Sequence, residues 1–127
     1  MRILVVEPNK QPFEVEIQNT LKSMQSIVGV YIEFYGIGSS MTIVCNEEGK
    51  LLGLEGNRRV GNDIIAGTFF VVGQDEAFDL KSLTDKQIEL CMEKFQHTED
   101  IDAYDVLKSI IINVIPMDDF EEDEYEI

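Results

Sequence analysis

The chain has 127 residues, 44% hydrophobic and 28% charged, with a formal net charge of −15 at pH 7. That length predicts one domain, which buries about two-thirds of the surface its unfolded chain exposes and so needs neither disulfides nor metal to hold a core. The charge argues against direct binding of DNA, RNA or anionic lipid, because phosphates would be repelled.

The opening apolar run, Ile3 to Val6, is too short for a signal peptide, and no stretch approaches the roughly 18 apolar residues of a membrane span. A cytosolic location is therefore the expectation. Cys45 and Cys91 are far apart, without CxxC spacing, and read as buried small hydrophobes. The charge is uneven. Residues 1–73 hold 8 acids and 6 bases, whereas residues 74–127 hold 17 acids and 4 bases. Such an end attracts a basic partner, or serves only solubility.

Residues 2–7 are β-branched and apolar, a strand stopped by Pro8. Phe13, Val15 and Ile17 alternate with polar residues, the period of a half-buried strand, and the two segments should form a hairpin. Asn19 is the expected cap of a short helix carrying Leu21, Met24 and Val28, ended by Gly29. Residues 30–35 read as a strand and 36–40 as a loop. Residues 41–45 and 50–54 read as paired strands joined by a turn at 46–49. Residues 53–63 read as loop. Ile64 and Ile65 lead through Ala66-Gly67 into a buried strand at 68–72.

The second half reads as helical. Thr84 and Gln87 fit a capping box, with Leu83 and Ile88 as its hydrophobic staple. This helix should run to about Gln96, burying Ile88, Cys91, Met92 and Phe95. Asp102 caps the next, with Ile101 and Val106 as staple. Ala103, Val106, Leu107, Ile110, Ile111 and Val114 then keep the helical period until Pro116. A strand at 110–115 is the rival reading, from its isoleucine and valine content. The fold class is thus α+β: a mainly antiparallel sheet of about five or six strands in residues 1–73 with one short helix, then two amphipathic helices. Residues 1–116 form the single domain and 117–127 an acidic C-terminal tail.

No complete catalytic or metal motif is present, and neither enzyme activity nor a cofactor is expected. Gly36-Ile37-Gly38 follows a strand, but position 41 is Met where GxGxxG needs its third glycine. The tail acids lack the glycine turn and ligand spacing of a calcium loop. His97, the one histidine, sits at a helix C-terminus, where the dipole favours a cation. Asn57, Arg58 and Arg59 stand in a glycine-rich stretch. They would either form an anion pocket or anchor the loop, since arginine suits both roles.

Asp118, Asp119, Glu121, Glu122, Asp123, Glu124 and Glu126 place seven acids in nine positions. Nine extended residues span about 30 Å at roughly 3.3 Å each. Seven charges over that length give one per ~4 Å, close to the ~3.4 Å spacing along one DNA strand. Asp79, Asp85, Glu89, Glu93, Glu99, Asp100, Asp102 and Asp105 would extend that field over the folded body.

Cys45-Asn46-Glu47-Glu48-Gly49-Lys50-Leu51, Gly53-Leu54, Asn57-Arg58 and the run from Asp63 to Gly73 form a distinctive pattern with the opening Ile3 to Lys10. Over roughly residues 1–95 it resembles an uncharacterised domain family encoded by phages, plasmids and conjugative elements of Gram-positive bacteria. The resemblance carries over no established enzyme activity. It implies a setting in which small accessory proteins often oppose host defence.

The leading functional expectation is an inhibitor whose acidic surface occupies the nucleic-acid groove of a basic host nuclease, a CRISPR or restriction enzyme. One alternative is a binding module for a phosphorylated small molecule around Asn57 and Arg58. Another is a structural partner in the element's own transfer machinery. The oligomeric state is open.

Overall fold

A computed structural model describes residues 1–114. The tail, residues 117–127, with Asp118, Asp119, Glu121, Glu122, Asp123, Glu124 and Glu126, lies outside the described residues.

The α+β reading holds, and the main sheet is antiparallel throughout. Its path runs β2 (Phe13–Glu16), β1 (Arg2–Val6), β7 (Phe69–Gln74), β4 (Met41–Asn46), β3 (Ile32–Ile37), and the short β8 (Leu80–Lys81) pairs with the end of β7. The expected β1–β2 hairpin is present, with Ile3 opposite Val15 and Val5 opposite Phe13. Strand β7 lies between β1 and β4, and Phe69, Phe70, Val71 and Val72 are all fully buried. A strand buried on both faces reads as a continuous apolar run, as 68–72 does.

Helix α1 (Leu21–Val28) covers one face, packing Met24 and Val28 onto Ile3, Val5, Val44, Phe70 and Val72. The other face takes α2 (Asp85–Phe95) and a separate hairpin of β5 (Gly56–Val60) and β6 (Asp63–Ala66). There Phe95 meets Phe69 edge-to-face, centroids 5.4 Å apart. Helix α3 (Ala103–Val114) packs against β6 through Ile64, Ile101 and Val106.

Both helix-start readings in the second half are seen as bonds. Thr84 Oγ1 accepts from the Gln87 amide at 3.1 Å, and Gln87 Oε1 accepts from the Thr84 amide at 3.0 Å. Leu83, the staple residue before that cap, is 2% exposed. At α3, Asp102 Oδ1 accepts from the Asp105 amide and Asp105 Oδ2 from the Asp102 amide, a reciprocal cap made by two aspartates. The helical reading of 103–114 holds over the strand reading.

Three local expectations fail. Thr20, not Asn19, caps α1, its hydroxyl accepting from the Ser23 amide. Residues 50–54 are not a strand: the chain turns there, leaving Leu51 and Leu52 exposed. The partner of β4 on that side is β7, so no strand edge was open to them. The stretch expected as loop instead contains β5, which turns into β6 through Gly61 and Asn62, with Gly61 at φ 60°.

Cys45 and Cys91 are buried free thiols. Burial, helped by Glu33 and Asp63 and opposed by Lys50, pushes the Cys45 thiol up to about 12. Since the thiolate is the reactive form, a thiol raised this far is almost wholly protonated and unreactive at pH 8. Iodoacetamide at pH 8 should leave Cys45 unmodified in the native protein and label it readily in denaturant, as read by mass spectrometry. Labelling at equal rates in both states would contradict the buried placement.

Candidate functional site

The sequence points to two places: the Asn57-Arg58-Arg59 stretch and the acids from Glu99 to Asp105. They are neighbours, joined by Arg59.

Strand β5 is irregular where it matters. The register passes from Gly56 opposite Ala66 to Arg58 opposite Ile65, so Asn57 is the extra residue of a β-bulge. In a regular strand Asn57 and Arg58 would point to opposite faces. Here both are buried, at 0% and 1% exposure. The Asn57 amide nitrogen donates to Val6 O (2.8 Å) and Gly67 O (2.9 Å), tying the bulge to the end of β1 and to the turn between β6 and β7. Gly56 is needed beside it. A Cβ there would lie 2.6 Å from Ile101 Cγ2, too close for β5 to pass under the α3 staple.

Arg58 uses every donor it has. Nε donates to Phe95 O at 3.2 Å, and one terminal nitrogen to Phe95 O (2.9 Å) and Lys10 O (2.8 Å). The other donates to Asn57 O (3.2 Å) and Asn57 Oδ1 (2.7 Å). A guanidinium carries five N–H groups, and these five bonds account for them. All the acceptors are neutral. Phe95 is the last residue of α2, whose unpaired terminal carbonyls form the negative end of the helix dipole. Burial pushes the Arg58 guanidinium below its usual value, with the charge of Glu99 opposing.

This geometry answers the anion-pocket reading. Arg58 has no donor left for a ligand, and Asn57 is committed to backbone oxygens and to Arg58. Of the two roles their sequence suggested, they occupy the loop-anchoring one.

Arg59, next along the strand, faces outward and is half-exposed. Its Nε lies 3.6 Å from Glu99 Oε1 and a terminal nitrogen 3.6 Å from Asp105 Oδ2. Its amide donates to Glu99 Oε2 at 3.0 Å. Three of the four acids from Glu99 to Asp105 therefore have structural work. Glu99 and Asp105 flank Arg59, and Asp102 and Asp105 cap α3. Asp100 is exposed. The field expected over α2 is also interrupted, since Arg2 bridges Glu14 and Asp85 across the surface.

One feature was invisible in the sequence. An open cleft runs between the turn at 50–54 and α3, lined by Leu54, Gly56, Ile101, Val106, Leu107 and Ile110. Leu107, part of that lining, is exposed, and so is Tyr104 in the first turn of α3, between Asp102 and Asp105 in sequence. Among the described residues there is no cluster of three or more potential metal ligands, and no helix is long and apolar enough to cross a membrane.

A family model described as a domain of unknown function, DUF3846, matches residues 1–96. The chain belongs to the DUF3846 family. Its match ends one residue past Phe95, so the DUF3846 region contains Arg58 and all its acceptors. Glu99, α3 and the acidic tail lie beyond it. Neither a curated protein nor a solved structure matches the chain.

Arg58→Met should destabilise the protein by about 3 kcal/mol or more, because it leaves several buried carbonyls without donors at roughly 1–3 kcal/mol each. Arg59→Ala should cost only ~0–1 kcal/mol, since half-exposed ion pairs contribute little. Urea denaturation of both variants checks this, and equal losses would contradict the assigned roles.

Proposed function

We propose that the protein is an accessory protein of a mobile genetic element that works in the cytosol by binding a basic protein, and that it inhibits a host defence nuclease by occupying its nucleic-acid groove. The observation that carries this reading is the make-up of the chain beyond residue 96. Helix α3 exposes Tyr104 and Leu107 beside Asp102 and Asp105, and the sequence after it adds seven acids in nine positions. Negative charge speeds encounter with a cationic surface and suppresses wrong partners. Charge alone is promiscuous, and apolar side chains beside an open cleft supply the contacts that select one partner. The mobile-element setting rests on the resemblance of residues 1–95 alone.

The engagement of Glu99 and Asp105 with Arg59 shifts the weight of this proposal onto Asp100 and the tail. The small-molecule alternative loses its support, because Asn57 and Arg58 are saturated.

A restriction or CRISPR nuclease bound by this protein should release it steeply as salt rises, and double-stranded DNA should compete. Replacing the tail acids 118–126 by their amides should weaken binding and inhibition together, as read by interferometry and a cleavage assay. Binding that ignores salt and is not competed by DNA would overturn the proposal.

A further inference from the structure

The main sheet has two edges, and they are built differently. Strand β2 is short, preceded by Pro12, and carries Glu14 and Glu16 among its four residues. Those are devices that discourage strand-to-strand association. Strand β3, at the other edge, has six residues, Ile32-Glu33-Phe34-Tyr35-Gly36-Ile37, with no proline and one charge. From Ser26 to Asn46 Glu33 is the only charged residue, in a chain that is 28% charged. Val30, Tyr31 and Phe34 are 68%, 61% and 50% exposed along this edge.

The register says which backbone groups are free. Glu47 N donates to Tyr31 O at 2.8 Å, so residue 31 is a hydrogen-bonded partner of β4. Bonded and non-bonded positions alternate in an antiparallel pair. The backbone groups of Ile32, Phe34 and Gly36 therefore face outward, and among the described residues no other strand of the sheet pairs there.

We propose that this edge is a self-association surface: two copies of the chain pair β3 to β3 antiparallel across a two-fold axis, making one continuous sheet. The occupant is a second copy because the edge suits itself. With Phe34 on the axis, Ile32 lies opposite the second copy's Gly36 and Glu33 opposite its Tyr35, so the two Glu33 carboxylates are not directly opposed. A two-fold contact of this kind uses the same surface on both subunits. It also falls where the chain carries least charge, so the net −15 of each copy opposes it least there. The inference rests on the sheet alone and is independent of the nuclease proposal.

Sedimentation equilibrium of the full chain over a wide concentration range tests it. The mass should rise from 14.5 kDa towards twice that value. Phe34→Lys sets like charges directly opposite each other on the axis and should weaken self-association by roughly tenfold or more. The side chain is half-exposed, so circular dichroism and the melting temperature should stay near those of the native chain at low concentration. Phe13→Lys, on the β2 edge, should leave self-association unchanged. A single-chain mass at every concentration would overturn the inference, as would a dimer that ignores Phe34→Lys or that Phe13→Lys dissolves.

Discussion

A buried cation whose five hydrogen bonds all go to neutral oxygens holds this molecule's parts in place. Arg58 is 1% exposed and satisfied entirely by neutral oxygens from the last residue of α2, the β1–β2 loop and its own bulge. An ionised group away from water is costly unless all its donors are met. Here the cost is offset by carbonyls that would themselves be orphans, above all at the C-terminus of α2. The same five bonds tie three segments distant in sequence. They fix how the β5–β6 hairpin sits against α2, and through Gly56 and Ile101 that position sets where α3 begins. Arg59 carries the link outward to Glu99 and Asp105.

What could be read in advance was local. The capping box at Thr84 and Gln87, the staples at Leu83 and Ile101, and the period of 103–114 involve residues within five positions of one another, so sequence spacing contains the interaction. The apolar run at 68–72 was legible for a similar reason, since a strand buried on both faces needs no alternation. The hairpin β5–β6 was not legible. Asn57-Arg58-Arg59 is polar and carries no β-branched residue, and its strand character comes from pairing with Ile64 and Ile65 across Gly61-Asn62. Residues 50–54 misled in the opposite sense: leucines suggested a strand, and the chain exposes them beside a cleft.

The two roles open to Arg58 looked alike in sequence because both need a cationic fork. Only the partners separate them, and those partners come from residues 10 and 95, which spacing does not bring to mind. The acidic residues carry contacts that spacing also conceals: Asp102 and Asp105 cap α3, and Glu99 sits beside Arg59. The DUF3846 region thus holds the anchored scaffold, and the features on which a binding role rests lie in the extension beyond residue 96.

The most direct test of the Arg58 anchor is its own side-chain signal. In a proton–nitrogen correlation spectrum at neutral pH, a guanidinium with every donor bonded and no water access should give a resolved Nε–H resonance that exchanges slowly with solvent. The Arg59 resonance should exchange fast. If Arg58 Nε–H exchanges as fast as that of Arg59, the guanidinium is open to water, and the anchor on which this account stands is absent.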